Sequence, residues 1–432
     1  MSIVKKKITK WQDPLFLLRK IVDNYEGSDL VFLYSALNKQ NKKSFSYLAL
    51  FPRKKIISNN FSDVKTIIKS SKERWFGYFS YELCCQFENI ATTKKSHIDL
   101  PKIYLVNFNL YFEFDHSKKI ITVFFSNDKY LNEVLKYKVK IDVKSNLKVK
   151  DLSSNFSNKN YLKKISDIKK MIENGDFFQM NLTRKFYGNF NKENNQQQNF
   201  KLFKDLTKSS PANYSSFLKL AKNYIISSSP ELFLKIDNKI VKSRPIKGTI
   251  ARGKNKIADA KNKLILKNSV KDRAENLMIV DLVRNDFSKF CEVGSVKINN
   301  LFKIDGYKNI YHMSSEVIGK ISKNYSSLDA LQYCFPPGSM TGAPKVKAMQ
   351  LISDMEKIER GLYSGAIGFL EGDDLNFSVV IRTLIIRGKK FEFQSGGAIT
   401  YDSLPIDELK EIFDKSKSIT DLLKINTISA NK

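Results

Sequence analysis

Residues 366–400 read AIGFLEGDDLNFSVVIRTLIIRGKKFEFQSGGAIT, and this stretch decides the fold class. It holds three runs of alternating apolar and polar residues, AIGFLEG, NFSVVIRTLIIRG and KKFEFQSGGAIT, joined by short turn-forming segments. Such alternation is typical of antiparallel strands connected as hairpins. A helical pattern follows only afterwards, at residues 406–424. Strands grouped with strands, and helices with helices, predict an α+β fold and argue against a parallel βαβ arrangement.

The first 150 residues are also rich in predicted strands, and they carry few chemical motifs. Four segments there combine β-branched and aromatic residues with turn-like gaps between them: 30–37, 47–51, 102–114 and 119–125. A polar stretch at 144–160 predicts a linker or long connection. We therefore divide the chain into an N-terminal β-rich region, 1–150, and a second region, 151–432.

The second region mixes helices and strands. Apolar residues at a spacing of three and four predict a helix that begins near Tyr161 and stops at Gly175. Further strands are predicted at 177–188 and 224–236, a long helical region at 256–290, and helices near Pro344 and at 406–424. Proline suits the first turn of a helix because its missing N–H has no partner there in any case.

Length and composition set the class of protein. The chain has 432 residues, of which 42% are hydrophobic and 12% aromatic, so it can bury a large core and is not disordered as a whole. No apolar run approaches the ~20 residues of a membrane span. The N-terminal sequence lacks the apolar segment of a signal peptide, and the four cysteines form neither a disulfide framework nor a zinc site. We expect a cytoplasmic protein that does not bind membranes.

The formal net charge of +30 suggests a second class of function, binding to nucleic acid or to a membrane surface. Only 11 of the 74 basic residues are arginine, however, whereas nucleic-acid readers commonly use arginine for forked contacts. Lysine is spread along the whole chain, which favours a diffuse solvated surface. A nonenzymatic basic RNA- or membrane-binding protein stays as the remote alternative, and steeply salt-dependent RNA binding would favour it.

Several segments carry residue types that packing alone does not require. Glu231 follows a proline at the start of a predicted strand, and Lys247 lies in the turn SRPIKGTIARG. Asp272 and Glu275 are three apart, as are Glu408 and Glu411, so each pair shares one helix face. FPPGSMTGAPK is a glycine-rich loop that leads into a helix, which is a plausible carboxylate cradle.

Each of these features also has a structural interpretation when it is taken singly. A lone helical glutamate is usually solvated, and a lysine in a turn is usually a surface residue. His312 alone favours a structural role, and Gly396 with Gly397 could simply form a turn. The loop GSMTGAPK also lacks the GK[ST] ending of a nucleotide-binding loop. The combination and order of the segments, and not any segment alone, favour a functional interpretation over a structural one.

In order, the segments are SPE, PIKGT, ENLMIVDLVRND, YHMSSEV, GSMTGAPKVKAMQ, GLYSGAIGF, VVIRT, SGGAI and E-x-x-E. This series resembles the chorismate-utilising enzyme family over roughly residues 155–425. The family includes anthranilate synthase component I, aminodeoxychorismate synthase component I, isochorismate synthase and salicylate synthase. The resemblance implies a two-lobed α+β fold, an antiparallel β-sheet sandwich with outer helices and a buried cleft. It makes the second region the chorismate-binding catalytic region.

The resemblance also implies a magnesium site. The family's Mg²⁺ ligands match Glu275 and Glu411, while Asp272 and Glu408 match neighbouring acids that act through water. Carboxylates are the ligands that a hard cation such as Mg²⁺ prefers. The ion is expected to anchor the ring carboxylate of chorismate and to polarise the ring toward loss of its 4-hydroxyl.

Further positions match substrate contacts and catalytic groups of the family. Arg382 and Tyr363 match residues that bind the enolpyruvyl carboxylate, and the backbone around Gly396 and Gly397 completes that pocket. Three further substrate contacts are implied at Gly248, Thr249 and Ser339. Two catalytic roles are also implied, protonation of the departing hydroxyl by Glu231 and assistance by His312.

Two positions separate the branches of the family. Isochorismate and salicylate synthases activate water with a lysine where this chain has Gln179, which cannot act as that base. The anthranilate branch has PIAGT where this chain has PIKGT, so Lys247 stands in place of a small residue. A lysine amine there can attack C2 of chorismate and direct ammonia to C4, which requires the amine to be partly neutral. Lys247 therefore predicts formation of 4-amino-4-deoxychorismate, with anthranilate formation as the alternative.

Two further expectations concern the source of ammonia and the binding of tryptophan. None of the four cysteines lies in a G-x-C-x-G elbow, so a separate glutamine amidotransferase subunit is expected to supply ammonia. Family members can also hold tryptophan in the N-terminal β region. Ser35, in the segment LYSAL, is a candidate tryptophan-binding residue on that basis.

Overall fold

The computed structural model describes residues 3–8, 10–37, 44–68, 71–88, 90–91, 94–140, 147–307 and 310–425. The strands of its first half are β1 (Val4–Ile8), β2 (Asp29–Tyr34), β3 (Phe45–Ser58), β4 (Arg74–Phe79), β5 (Ile103–Asp115), β6 (Ile120–Phe125), β7 (Val149–Ser154), β8 (Gln179–Phe190), β9 (Tyr214–Leu220) and β10 (Asn223–Ser229). Those that follow are β11 (Leu232–Asp237), β12 (Ile240–Arg244), β13 (Ile246–Ala251), β14 (Lys297–Gly306), β15 (Ile310–Lys320), β16 (Gly342–Ala343), β17 (Ala366–Glu371), β18 (Asp374–Val379), β19 (Thr383–Arg387) and β20 (Lys390–Ile399).

The helices are α1 (Pro14–Asn24), α2 (Phe61–Ile68), α3 (Cys84–Phe87), α4 (Asp128–Lys136), α5 (Asn158–Glu173), α6 (Gln196–Ser209), α7 (Lys256–Asn268), α8 (Val270–Ser288), α9 (Ser327–Cys334), α10 (Lys345–Glu356) and α11 (Pro405–Leu422). Two short 3₁₀ turns lie at Tyr81–Leu83 and Gly338–Met340. No helix in these described ranges has the length and apolar character that crossing a lipid bilayer requires.

The strands pair antiparallel throughout and form one continuous sheet with two long arms. The first arm runs β8–β20–β19–β10–β9–β2–β3. The second arm runs β5–β4–β17–β18–β11–β12–β15–β14. The long pairing of β3 with β5 joins the two arms. The antiparallel α+β architecture predicted from residues 366–400 is confirmed.

The two arms face each other across an apolar core. One buried cluster combines Val31 of β2 and Ile385 of β19 with Phe76 of β4 and Ile367 of β17, so it draws on both arms. The neighbours of Val31 on β2, Leu30 and Phe32, belong to a different cluster, because successive strand side chains point to opposite faces. The predicted sandwich is therefore present.

The outer faces of the arms are covered by helices. Phe203 of α6, Ile165 of α5 and Ile412 of α11 belong to the larger buried cluster. Complete burial of each such side chain stabilises the fold by about 1.5–3 kcal/mol. α10 packs on β8 and α11 packs on β20, so two neighbouring strands of the first arm each carry a helix. β8, β20 and α11 contribute residues to the wall of a cavity of about 800 Å³.

One local prediction is wrong. The stretch 144–160 is predicted to be a linker or long connection, but Val149–Ser154 form β7, which pairs with β8. The helix α5 then begins at Asn158, and residues 144–146 lie outside the described residues. The helical region predicted at 256–290 is confirmed and consists of two helices, because Ser269 ends α7 and caps α8 by accepting a hydrogen bond from the Asp272 amide at 3.2 Å.

The strands of residues 1–150 do not form a sheet of their own. β2 pairs with β9, β4 pairs with β17, and β7 spans position 150 while pairing with β8. Hydrogen bonds thus join the N-terminal β-rich region directly to the second region.

A buried arginine anchors the part of the fold that surrounds the cavity. Arg360 is 1% exposed and makes two hydrogen bonds to the carboxylate of Glu356, at 2.9 and 2.7 Å. It also donates to the carbonyl oxygens of Met340, at 2.7 Å, and Asn181, at 2.8 Å. The guanidinium lies 4.8 Å from the ring centroid of Tyr81. One side chain thereby ties α10, β8 and the turn at Gly338–Met340 together.

We predict that Arg360→Ala destabilises the protein by about 3–5 kcal/mol, because it leaves the Glu356 carboxylate buried without its partner. The measurement is urea denaturation followed by circular dichroism. Arg284→Ala is the matched control: Arg284 pairs with Asp281 at 2.9 Å on an exposed helix face, and such pairs contribute about 0–1 kcal/mol. If Arg360→Ala lowers the free energy of unfolding by less than about 1 kcal/mol, Arg360 does not anchor this part of the fold.

Candidate active site

A cavity of about 800 Å³ opens beside α8 and α11, and most of the predicted site residues line it. We call it the main cavity. The predicted residues in its wall are Glu231, Lys247, Gly248, Thr249, Asp272, Glu275, His312, Ser339, Tyr363, Arg382, Gly396 and Glu411. Gly397 and Glu408 adjoin it: a Cβ atom added at Gly397 would lie 2.8 Å from Oε2 of Glu408 and 3.6 Å from Oε1 of Glu411. Residues from distant parts of the sequence therefore meet at one place.

Lys247 reaches the main cavity through an irregularity in strand β13. The pairing of β13 with β15 shifts register between Ile246 and Thr249, so Lys247 and Gly248 lie in a bulge. A bulge re-aims the side chains it contains. Gly248 has φ +82°, and a Cβ atom there would lie 2.9 Å from the Asp272 carboxyl carbon. The motif PIKGT thus needs its glycine to bring the backbone of β13 against α8.

The amine of Lys247 faces carboxylates without being paired to one. Its positive charge lowers the pKa of Glu231, Glu275 and Glu411, in each case against the larger effect of burial. Within the described part of the chain, Nζ forms no hydrogen bond and no ion pair. The amine is therefore available to a ligand in the main cavity.

Glu231 is a buried acid at the start of β11. It is 5% exposed, and Oγ of Ser339 donates a hydrogen bond to its Oε1 at 2.6 Å. Its backbone carbonyl accepts from the amide of Val379 at 3.1 Å, which fixes the residue against β18. Burial raises the pKa of Glu231 to about 7. The carboxyl group is consequently part protonated at neutral pH, as a general acid must be.

The four predicted acids of α8 and α11 lie within electrostatic reach of one another. Burial is the main cause of the raised pKa of Glu275, and the charges of Glu411 and Asp272 raise it further. Burial also raises the pKa of Glu408, whose Oε2 has no hydrogen-bond partner among the described residues. Carboxylates that raise one another's pKa favour a cation between them.

Two lysines currently balance these acids. Nζ of Lys271 lies 3.7 Å from Oε1 of Glu408. Lys415 forms an ion pair with Glu411, and this pairing outweighs burial, so the pKa of Glu411 is lowered. Glu411 is therefore ionised at neutral pH and can act as a ligand for a cation.

The carboxylates at the main cavity suit a metal ion that needs only one or two protein ligands. No group of three or more His, Cys, Asp or Glu side chains has a ligand arrangement in the described ranges. A cation that requires a complete protein cage does not fit here. Mg²⁺ is bound in many sites by one or two carboxylates, with water and substrate oxygens as the other ligands. Glu275 and Glu411 fit that pattern.

Arg382 places a cation in the wall of the main cavity. Arg382 has φ 50°, a strained backbone conformation for a residue other than glycine, and its carbonyl accepts from the Ser228 amide at 3.1 Å. Burial lowers the pKa of Arg382, while the charge of Glu231 opposes the shift. Tyr363 lies buried in the same cavity. A guanidinium and a phenol hydroxyl together suit a carboxylate ligand.

His312 lies beside these groups on β15. Its Nδ1 shares a hydrogen bond with Oγ1 of Thr249 at 2.7 Å. Burial, followed by the charge of Arg382, lowers the pKa of His312 to about 3. The imidazole is therefore neutral at physiological pH, so it serves as a hydrogen-bonding group and not as a cation.

The residues of the cavity wall that escaped the sequence analysis include Asn181, Lys271, Gln394 and Lys415. Lys415 could have been found, since it lies four residues after Glu411 on one helix face. Asn181 lies two residues after Gln179, the position compared with the water-activating lysine. Gln179 itself is fully buried and lies outside the main-cavity lining. The side-chain amides of Asn181 and Gln394 carry no charge, and their spacing in the sequence follows no pattern that would have identified them.

Ser35 lies elsewhere, in a second cavity of about 560 Å³ between the two arms. Its Oγ accepts a hydrogen bond from Oγ of Ser44 at 2.7 Å. Arg74, Tyr47, Tyr214 and Phe369 also line this inter-layer cavity. Ser35 is therefore separate from the main cavity, and its role in tryptophan binding stays a prediction.

Comparison with known proteins gives relatives along most of the chain. The sequence model for chorismate binding enzymes matches residues 35–421. Aminodeoxychorismate synthase component 1 of Escherichia coli K12 is 32% identical over 345 residues, which cover 79% of this chain and 75% of the relative. Anthranilate synthase component 1 of Saccharolobus solfataricus is 34% identical over 345 residues, covering 79% of each chain.

Solved structures give the same result for the fold. The crystal structure of anthranilate synthase component I from Streptococcus pneumoniae has a TM-score of 0.76 and 26% identity, and the match covers 89% of this chain and 93% of that one. The menaquinone-specific isochorismate synthase of Escherichia coli has a TM-score of 0.78 at 16% identity, with 98% and 95% covered. The chain belongs to the chorismate-binding enzymes, and it is a chorismate-utilising enzyme of the anthranilate, aminodeoxychorismate and isochorismate synthase family.

Proposed function

We propose that the protein converts chorismate and ammonia to 4-amino-4-deoxychorismate, the precursor of para-aminobenzoate in folate biosynthesis. This is the activity of an aminodeoxychorismate synthase. The observation that carries the proposal is the amine of Lys247, which has no partner among the described residues. A glycine-dependent bulge brings it into the main cavity together with the buried acid Glu231. A nucleophile and a general acid that share one cavity support a displacement in which a hydroxyl group leaves.

In the first step Lys247 loses its proton to solvent, and its neutral amine then forms a bond to C2 of chorismate. The two ring double bonds shift by one position, and the bond between C4 and the hydroxyl oxygen breaks. Glu231 delivers its proton to that oxygen, which departs as water. The product of this step is a secondary ammonium adduct on Lys247 and a carboxylate on Glu231. The raised pKa of Glu231 supports this role, since an ordinary glutamate would have no proton to give at neutral pH.

In the second step ammonia forms a bond to C4 through its lone pair. The double bonds return to their original positions, and the bond between C2 and Nζ breaks with its electron pair remaining on Lys247. The new C4 ammonium group gives one proton to the carboxylate of Glu231. Both residues thus return to their starting states, and the overall change is chorismate plus ammonia to 4-amino-4-deoxychorismate plus water.

We assign a bound Mg²⁺ to Glu275 and Glu411, with Asp272 and Glu408 acting through water. When bound, Mg²⁺ would supply a positive charge for the ring carboxylate of chorismate and would favour departure of the 4-hydroxyl. Arg382 and Tyr363 hold the enolpyruvyl carboxylate. Lys271 and Lys415 balance the acids, so the net charge of the site stays small.

Ammonia is proposed to come from glutamine on a separate amidotransferase subunit. Two of the relatives are named component 1 of their synthases, which fits a chain that works with a second component. The four cysteines do not line the main cavity, and Cys84, Cys291 and Cys334 are buried. None therefore supports a glutamine-hydrolysing site in this chain.

Anthranilate formation is the second candidate, because relatives of both kinds have similar identity to this chain, 32% and 34%. The two reactions share chorismate and ammonia but differ in the ring carbon that receives nitrogen. Lys247 favours C4, since its amine stands where nitrogen would otherwise approach C2. Identification of the product from chorismate, Mg²⁺ and an ammonium salt decides between them.

We predict that Lys247→Ala changes the product as well as the rate. Turnover to 4-amino-4-deoxychorismate should fall by two orders of magnitude or more, of the size expected for loss of a catalytic group, about 10²–10⁴-fold. Ammonia should then enter at C2 and give 2-amino-2-deoxyisochorismate or anthranilate as a minor product. Chromatography with mass detection measures both, and the exposed Lys254→Ala is the matched control.

The wild-type enzyme should also accumulate an adduct on Lys247 when chorismate and Mg²⁺ are present without ammonia. Mass spectrometry of the intact protein and of its digest detects it. Formation of 4-amino-4-deoxychorismate by Lys247→Ala at the wild-type rate would refute the covalent step. Anthranilate as the main wild-type product would refute the proposed function.

We predict that Glu275→Gln and Glu411→Gln each abolish Mg²⁺-dependent turnover, because each removes one ligand charge. Calorimetric titration with Mg²⁺ should show weakened binding, while circular dichroism stays unchanged. Glu408→Gln should have a milder effect if it acts through water. Glu292→Gln, at a part-exposed acid outside the main cavity, serves as the control. Wild-type Mg²⁺ dependence in both variants would show that the ligands are assigned wrongly.

We predict that Glu231→Gln lowers turnover at least about 100-fold, since an amide keeps the shape of the side chain but cannot cycle a proton. In the wild type the acid must be protonated, so the step that needs it should slow as pH rises through about 7. This alkaline limb should disappear in the variant. The measurement is the pH dependence of kcat/KM, and a loss below about threefold would remove Glu231 from the acid role.

A further inference from the structure

Ser339 places a hydroxyl group directly against the acid of the proposed function. Its Oγ donates a hydrogen bond to Oε1 of Glu231 at 2.6 Å, and the two residues are 6% and 5% exposed. A short hydrogen bond to a carboxylate is stronger than one between neutral groups, and exclusion of water strengthens it further. This contact therefore bears on how Glu231 holds and releases its proton.

The backbone of Glu231 is fixed without help from Ser339. Its N–H donates to Oγ of Ser229 at 3.4 Å, and its carbonyl accepts from the amide of Val379 at 3.1 Å. Ser229 also donates to the carbonyl oxygen of Val379, at 2.6 Å. The main chain is thus held between β10 and β18, and the direction of the carboxyl group is left to the contacts of the side chain itself.

The turn that carries Ser339 is fixed as well. The carbonyl of Ser339 accepts from Nδ2 of Asn181 at 3.2 Å, and the carbonyl of Met340 accepts from the buried Arg360 at 2.7 Å. Within the turn, the Met340 amide donates to the carbonyl of Pro337 at 2.9 Å. The hydroxyl of Ser339 is consequently held in place beside Glu231 before any ligand binds, as a preorganised donor.

The hydroxyl of Ser339 is the main group that opposes the effect of burial on Glu231. Burial raises the pKa of Glu231 to about 7, and the hydrogen bond from Ser339 lowers it more than any nearby charge does. The charged or titratable side chains that face Glu231 from other elements include Lys247, Lys415, Arg382 and Tyr363. A donor to the carboxylate favours its ionised form, so Ser339 keeps the buried acid able to release its proton.

The proposed function requires such a balance. In its first step Glu231 gives a proton to the departing hydroxyl and becomes a buried carboxylate, which is unfavourable unless a donor stabilises it. In its second step the same carboxylate takes a proton from the new ammonium group at C4. The proton must therefore be neither too tightly nor too weakly held, and the hydrogen bond from Ser339 acts on both steps.

We propose that Ser339 is a positioning residue for Glu231: its hydroxyl directs the carboxyl group and stabilises the carboxylate that remains after proton transfer. Ser339 keeps its own proton throughout and forms no bond to the substrate. The resemblance to the family implies a substrate contact at this position, but the single proton of the hydroxyl is already donated to Oε1 of Glu231. The inference rests on the proposed function for the acid role of Glu231.

The test is the pH dependence of kcat/KM in Ser339→Ala. Because the protonated acid is the active form, activity falls as pH rises through the pKa of Glu231, about 7 in the wild type. Loss of a hydrogen bond to a charged group should move this alkaline limb upward by about one to two pH units. The plateau at lower pH should fall, since a weaker acid gives up its proton less readily.

Three further variants separate the hydroxyl from the packing of the turn. Ser339→Thr keeps the hydroxyl and should keep the limb near its wild-type position. Ser339→Cys has a weaker donor, so the limb should move in the same direction by less, and it serves as the test if Ser339→Ala does not fold. Thr341→Val is the matched control, because it removes a hydroxyl of the same loop that donates to the carbonyl of Gly338 at 3.1 Å. Its limb should stay in place.

Infrared spectroscopy measures the same proton equilibrium without turnover. The carbonyl band of protonated Glu231 is the one that Glu231→Gln removes. In Ser339→Ala this band should persist to a pH higher by the same one to two units, roughly, as the alkaline limb. The KM for chorismate should stay close to its wild-type value.

Several results would overturn this role of Ser339. One is an alkaline limb and an infrared band that stay in place in Ser339→Ala. Another is an equal shift in Thr341→Val, which would assign the effect to packing of the turn. A raised KM for chorismate with the limb in place would make Ser339 a substrate contact instead. Failure of the proposed function looks different: the wild type would release anthranilate, and the infrared titration of Glu231 would still decide for or against Ser339.

Discussion

The site depends on the ion pair and hydrogen bonds that the buried guanidinium of Arg360 makes. It binds the carboxylate of Glu356 and the carbonyl oxygens of Asn181 and Met340, all within 3 Å and out of contact with water. Met340 follows Ser339, which donates to Glu231, and Asn181 borders the same cavity. Hence one buried ion pair fixes the wall at which the acid, the serine and the carboxamide meet. Lys247 approaches from β13, where the bulge at Gly248 sets its direction.

Two glutamate carboxyl groups in this cavity suit different roles because their surroundings differ. Burial raises the pKa of Glu231 to about 7, while the ion pair with Lys415 lowers that of Glu411. A carboxyl group that keeps its proton suits acid catalysis, and one that loses it suits a cation. The excess of lysine over the surface says little about function, but Lys415, Lys247 and Lys271 at the cavity lower the pKa of Glu411 against the effect of burial. The position of each charged side chain in the cavity matters for these protonation states, and the net charge of the chain does not.

The sequence predicted the antiparallel strands at 366–400 and the helix α11, because alternation and helical spacing are local signals. The residues that meet in the main cavity followed from the resemblance of their motifs to a known family. The sequence failed at 144–160, where a polar edge strand without apolar alternation resembles a linker. The boundary between α7 and α8 inside the predicted helical region was not predicted, since a serine cap interrupts a helix without glycine or proline. Asn181 and Gln394 were missed because an uncharged amide becomes conspicuous only when its unpartnered oxygen is seen in a folded structure.

The pairing of β4 with β17 has a consequence for the synthesis of the protein. About 290 residues separate the end of β4 at Phe79 from the start of β17 at Ala366. A ribosome adds roughly 5–20 residues per second, so β4 waits roughly 15–60 s for its partner to emerge. During that time one edge of β4 has unpaired backbone groups and apolar side chains that other chains could bind. The edge of β4 that later pairs with β17 therefore stays open until translation is nearly complete.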